Sequence, residues 1–181
     1  MNNRRYPLSI FNKKIKKMIK RIIKSLFIAA IIVANIGCDQ VSKNIVRQHV
    51  ASNADIKVVS KYVTLTKVEN TGAFLSMGAS MSKPVKWVFL NGLPLLALLG
   101  GLVFLFAKTN LSKMNRLGLA CVLGGGIGNL YDRVLYGSVT DFLHIDFGLF
   151  QTGIFNLADV SIMVGAFLLA MEMFLKRERV A

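Results

Sequence analysis

Apolar residues in this chain gather into long runs instead of recurring at the intervals of a half-buried surface helix. Four runs approach the roughly 20 residues that a helix needs to cross the hydrocarbon core of a bilayer. The clearest is Val85 to Ala107, VKWVFLNGLPLLALLGGLVFLFA, whose only charge is Lys86, next to the interfacial candidate Trp87. Pro94 lies near its middle, which a membrane helix tolerates when neighbours satisfy the freed carbonyl. Another run extends from Leu117 to Tyr131 without a charge, and a further one from Ile154 to Leu175 carries Asp159 and Glu172. The first run is the shortest, because Ser25 to Cys38 offers only 14 uncharged residues. To span, it must let Lys24 snorkel at one end and carry Asp39 to the membrane edge at the other.

The intervening pieces read differently. Asn44 to Lys83 contains IKVVSKYVTLTKV, where β-branched residues recur with period two, which predicts a small sheet on the outer membrane surface. Val134 to Gly153 reads as an extended or re-entrant link. The expected organisation is a basic arm over residues 1–24, one membrane domain over 25–176 and a tail over 177–181. The predicted fold class is a membrane all-α bundle of four transmembrane helices with a small external β-sheet cradle.

Composition changes the picture in one respect. The 181 residues are 54% hydrophobic yet carry a formal net charge of +14, a pairing ordinary for a small membrane protein and unusual for a water-soluble domain. Nucleic-acid binding is the rival explanation of the charge. It is weakened because nine of the 23 Lys and Arg precede Leu26 and the others flank apolar runs without forming a patch. On a four-span frame, 15 of the 23 fall on the side of the termini, so the positive-inside rule puts both termini in the cytoplasm.

The two cysteines, Cys38 and Cys121, sit in separate apolar runs and read as packing residues. The letters ANIGCDQ, Ala34 to Gln40, look like the end of a lipoprotein signal. Against a cleavable signal stand Asn35, where a branched apolar residue belongs, and the three runs that follow.

There are nine acidic residues, and four of them, Asp39, Asp132, Asp141 and Asp159, map to the external ends of spans or the link beside them. Carboxylates converging at one membrane depth are expected of a functional site. Asn129, Asp132 and Arg133 share a face of the third span by helical spacing, as do Asn156 and Asp159 on the fourth. Simpler readings stand beside this one: Asp132 and Arg133 as a helix-end anchor, and Asp39 with Lys43 as a local i, i+4 ion pair. GGGIG, Gly124 to Gly128, suits close helix packing better than phosphate binding, because no strand precedes it and no Lys-Ser/Thr follows. His49 and His144 have no metal-like partner, so neither metal nor cofactor is expected.

Asp159 is the hardest to explain as architecture. A carboxylate within an apolar span costs on the order of 2.5–3.5 kcal/mol on insertion scales unless partnered. Asp141, in VTDF, is the proposed partner. Two close carboxylates share one proton, so one can activate water while the other polarises a carbonyl. The chain has no Ser-His, Cys-His or HExxH arrangement to compete with that chemistry.

At this point the residues resemble a known family. DQVSK (Asp39 to Lys43), NTGAF (Asn70 to Phe74), GGGIGNLYDR (Gly124 to Arg133), VTDF (Val139 to Phe142) and FNLAD (Phe155 to Asp159) occur in the order and approximate spacing of lipoprotein signal peptidase, also called signal peptidase II. The resemblance covers roughly Ser25 to Leu175. It implies a multi-pass enzyme of the bacterial inner membrane that removes signal peptides from diacylglyceryl-modified prolipoproteins, cutting just before the lipidated Cys on the external side. It further implies Asp141 and Asp159 as a catalytic dyad, Asn70, Asn129, Arg133 and Asn156 as residues that line the site, and Asp39, Lys43 and Asp132 as architecture. A monomer among membrane lipids, inhibited by globomycin-like peptides, is implied as well. NTGAF departs from the family in having one small residue between Gly72 and Phe74 where many relatives have two. The alternatives are a proton-coupled transporter using Asp141 and Asp159, and a lipoprotein anchored at Cys38.

Overall fold

The computed structural model describes residues 8–52, 54–59, 62–72 and 80–178. Its elements are helix α1 (Leu8–His49), strands β1 (Ile56–Val59) and β2 (Val63–Asn70), helix α2 (Lys83–Ala107), helix α3 (Lys113–Tyr136), strand β3 (Val139–Ile145) and helix α4 (Leu157–Glu178). Three of them, α1, α2 and α4, are long and apolar enough to cross a membrane.

The first helix runs unbroken for 42 residues, so the basic arm from Leu8 and the first apolar run are one element. At about 1.5 Å per residue it is some 60 Å long, twice the hydrocarbon thickness. It also continues through Asn44–His49, where the sheet region was expected to begin; the first strand starts only at Ile56. The reason is a buried face at helical spacing. Lys43, Val46 and Val50 fall at i, i+3 and i+7, are all buried, and the two valines pack with Phe142.

Helix α2 widens into a π turn at Val88–Gly92, immediately before Pro94. There the Leu93 N–H reaches back five residues to the Val88 carbonyl. Pro94 has no N–H to continue an α-helical ladder, and the wider turn re-registers the bonds around it. Helix α3 opens with Ser112, whose hydroxyl accepts the Asn115 N–H at 3.0 Å, and closes at Gly137 in the left-handed region at φ 74°.

Helix α3 is central and packs against each of the other three. The GGGIG run serves three neighbours at once. A Cβ on Gly124 would lie 2.7 Å from Asn35 of α1, one on Gly126 would lie 2.7 Å from Leu98 of α2, and one on Gly125 would run into the backbone at Ala158 of α4. Close helix packing is thus what these glycines do in the fold.

The strands form one antiparallel sheet in the order β1-β2-β3, so the 134–153 link supplies its third strand. Polarity is inverted relative to a water-soluble bundle. Leu96, Val103, Met163 and Phe167 expose 65–70% of their surface, while Asp39, Lys43, Asp132, Thr140 and Asn156 are 0% exposed. An apolar jacket over a polar interior is the arrangement a bilayer stabilises.

Candidate active site

Four chain segments meet where the sheet joins the bundle. Because α3 stops at Gly137 and β3 begins two residues later, Asp141 is held close to the end of α3. Backbone bonds then fold the following loop onto β3: the Leu143 N–H donates to the Phe155 carbonyl at 2.8 Å, and the Phe155 N–H returns to Leu143 at 2.9 Å. That clasp brings Asn156 beside Asp141.

Asn156 does not share a helical face with Asp159, as spacing suggested. It precedes α4 and caps it: its Oδ1 accepts the Asp159 N–H at 3.0 Å, while Asp159 Oδ2 accepts the Asn156 N–H at 3.1 Å. This reciprocal pair is a capping box with Asp in the usual Glu place. The Asp159 carboxylate is therefore in the first turn of α4, where the helix macrodipole favours negative charge.

Both carboxylates accept on both oxygens. Asp141 takes the Asn156 amide N–H at 2.6 Å on Oδ1 and the Asn70 amide at 3.0 Å on Oδ2, and Asp159 Oδ1 takes the Asn129 amide at 2.8 Å. Each asparagine is fixed in orientation by what its own oxygen accepts. Asn70 Oδ1 takes the Gly72 N–H at 3.0 Å, Asn156 Oδ1 takes that of Asp159, and Asn129 Oδ1 takes the Lys43 ammonium at 2.9 Å and the Asn156 amide at 3.2 Å. The amide NH2 groups have no choice but to face the carboxylates.

Asp141, Asp159, Asn70, Asn129 and Arg133 line one cavity of about 280 Å³, with Phe89, Leu90, Pro94, Val139, Ile154 and Phe155 as its apolar walls. Burial raises the Asp141 pKa from 3.8 to about 6; the negative charge of Asp159 adds to that, and the Asn70 and Asn156 bonds and Lys43 oppose it. Arg133 donates to the Gly72 carbonyl at 3.1 Å, and its buried Nε has no partner among the described residues.

Asp39, Lys43 and Asp132 form a buried ion cluster behind the cavity. Lys43 Nζ is 2.8 Å from Asp39 and 3.1 Å from Asp132, so the local i, i+4 pair exists and also reaches across to α3. Asp132 does not pair with Arg133; its second cation is Arg47 of α1, at 2.8 Å. Asp39 Oδ1 accepts the Ala158 N–H at 2.9 Å, which ties α1 to the start of α4.

Sequence reasoning missed several members of this network. Arg47 follows Lys43 by four residues, a spacing that could have found it, and it also donates to Thr140 Oγ1 at 2.8 Å. Glu69 accepts from Ser138 at 2.6 Å and Thr140 at 2.9 Å, a cross-strand link with no local signal. Gln40 bridges Asp39, Asp132 and the Gly128 carbonyl at 3.0–3.1 Å. Asn91 lies in the π turn and lines a small cavity with Arg133 and Gly137, at the same end as the two aspartates. The last two residues of NTGAF lie outside the described residues. Among the described residues, no group of three His, Cys, Asp or Glu is placed to hold a metal.

Two carboxylates facing one cavity, inside a helical frame jacketed in apolar side chains, define a multi-pass membrane enzyme. Two solved structures of bacterial membrane enzymes share this fold, with TM-scores of 0.76 and 0.72 at 24% and 25% identity; they match 84% and 81% of this chain and 90% and 92% of their own. Residues 28–175 match the family model for signal peptidase (SPase) II. A lipoprotein signal peptidase from Tolumonas auensis is 35% identical over 77% of this chain and 84% of its own length, and one from a Sulfurihydrogenibium species is 32% identical over 90% and 99%. The chain belongs to the signal peptidase II family, whose members are aspartic peptidases.

Proposed function

We propose that this protein removes signal peptides from diacylglyceryl-modified prolipoproteins, cutting just before the lipidated Cys with water activated by Asp141 and Asp159. The observation that carries this reading is the convergence of both carboxylates on one cavity, each held by amides whose orientation is fixed.

Asp141 is assigned the proton and Asp159 the base. Burial beside a second carboxylate favours the protonated form of Asp141. Asp159 removes a proton from water as the water oxygen bonds to the scissile carbonyl carbon, and Asp141 gives its proton to the carbonyl oxygen. When the C–N bond breaks, the nitrogen takes the proton from Asp159. A hydroxyl of the tetrahedral intermediate returns the other proton to Asp141, and the starting state is restored.

Arg133, whose Nε has no partner among the described residues, and the asparagines orient the peptide; Asp39, Lys43 and Asp132 hold the frame. The apolar wall from α2, Phe89, Leu90 and Pro94, suits acyl chains that remain in lipid. Helix α3 is read as the third of four spans despite its polar residues, because Asn129 and Asp132 are buried against the other helices. Four spans put both termini in the cytoplasm and the cavity at the external face of the inner membrane. Globomycin-like peptides would compete for this cavity, and a monomer suffices because one chain supplies both aspartates.

The test is cleavage of a diacylglyceryl-modified prolipoprotein by purified protein in detergent. Asp141→Asn and Asp159→Asn are each expected to abolish turnover while the protein still inserts. Full activity in either variant removes that residue from the dyad.

A further inference from the structure

The end of the bundle away from the two aspartates carries a second polar feature, opposite in charge. A cavity of about 300 Å³ is lined by Lys17, Lys20, Arg21 and Lys24 of α1, Lys108 just beyond α2, and Arg116 in the first turn of α3. Among the described residues, six cations from three chain segments line it and no acidic residue does. Thr109 and Asn110 add polar groups, and the loop that bears them is held by Arg116, whose guanidinium donates to the Thr109 carbonyl at 2.6 Å. Like charges this close need an anion.

A second cavity, of about 530 Å³, shares Lys24, Ile28 and Arg116 with the first. Its other walls include Ile23, Phe27, Ile31 and Leu117. From Lys24 to Ile31 is about two turns of helix, or roughly 10 Å, towards the middle of α1. The groove thus leads from the cations into the apolar length of the bundle. Lys24 also lies 19 residues before Lys43, on the order of 28 Å along α1 and close to one hydrocarbon thickness. The cations sit at the membrane boundary opposite the aspartates.

We propose that these two cavities are one binding site for an anionic phospholipid of that leaflet, with the phosphate headgroup among the six cations and an acyl chain along the groove. A basic cavity alone would take any phosphate, and an apolar groove alone any chain. Their continuity through Lys24 and Arg116 selects a molecule that is both. The bound lipid would fasten the basic end of α1 to the α2–α3 loop. The site depends on α1 crossing the bilayer and not on the Asp141–Asp159 chemistry.

Native mass spectrometry of the full chain, with phosphatidylglycerol or phosphatidylcholine added in detergent, tests the proposal. The wild type should retain phosphatidylglycerol in preference to phosphatidylcholine, and that retention should weaken as salt rises. Replacing Lys20→Gln and Lys24→Gln together should weaken it about tenfold or more, since each basic residue near an anionic surface contributes about 1 kcal/mol. Leu117→Trp, which fills the groove, should weaken it too, and both variants should still cleave prolipoprotein. Equal retention of the two lipids, salt-independent retention or unaltered retention in either variant overturns the proposal. If glycerol 3-phosphate displaces phosphatidylglycerol at equal concentration, the site belongs to a soluble phosphate ester and the lipid assignment falls.

Discussion

An asparagine amide has an accepting end and a donating end, and at this site all three asparagines are locked with the donating end toward a carboxylate. The consequence for pH dependence can be worked out with its sign. If the working state has Asp141 protonated and Asp159 ionised, kcat/KM falls as pH rises through the Asp141 pKa of about 6 in the free enzyme. The Asn156 bond favours ionised Asp141, so removing it raises that pKa. Asn156→Ser keeps a capping oxygen for α4 but loses the amide donor. It should move the alkaline limb of the kcat/KM profile to higher pH; a limb that stays in place would separate Asp141 from the titration. Lys43→Met tests the ion cluster. It removes the cation that Asp39 pairs with and leaves Asp132 with Arg47 alone, and the variant should be destabilised by about 3–5 kcal/mol in a thermal or denaturant melt in detergent. The aspartates were legible in the sequence because a carboxylate beside an apolar run has no bland excuse. The amide orientations were not, because Asn129 is fixed by Lys43, 86 residues away, and Asn70 and Asn156 by a turn at Gly72 and by the fold of the 146–155 loop, neither of which carries a sequence signal of its own.

Among the elements, α3 was the one whose sequence and role pulled apart. Its polar residues lower its hydropathy, so by length and composition it does not rank with α1, α2 and α4. Those residues are spent on neighbouring helices and not on lipid, and its glycines set how near the neighbours come. Gly128 is the sharpest case, because a Cβ there would lie 2.6 Å from Asp39 Oδ2, within the ion cluster. Gly128→Ala should lower the melting temperature and the cleavage rate together, whereas Gly37→Ala, with nothing within 4 Å, should be neutral or slightly stabilising because alanine is the better helix former. Matching losses at the two positions would count against packing as the role of the run. The apolar runs of α2 and α4 were readable from their length alone, and the period-two stretch announced β2. The π turn and the continuation of α1 to His49 were not, since the first arises from where a proline falls in the hydrogen-bond ladder and the second from a buried face that only the finished sheet provides.

On the scale of the molecule, the four-span reading makes a direct statement about sidedness. In a Cys38→Ala, Cys121→Ala background, single cysteines at Ser52→Cys and Asn110→Cys should react with a membrane-impermeant thiol reagent from opposite sides of sealed vesicles. Labelling of both from one side would remove one span from the frame. That the chain is a helical membrane protein with a small sheet was legible in the sequence because apolar run length is a property of the whole chain. The union of the sheet with the bundle was not, because it rests on contacts between β2 and β3 that join residues some 70 positions apart. That same separation has a consequence in time. Lys43 and Asn129, bonded in the finished protein, are 86 residues apart, so at about 5–20 residues per second on the order of 5–20 s of synthesis separates them. Throughout that interval α1 has emerged with Asp39, Lys43 and Arg47 but without the α3 groups that complete their neutralisation. Until α3 arrives, water or lipid headgroups must solvate those ions, so the order of translation delays the closing of the reactive centre until nearly the whole chain has been made.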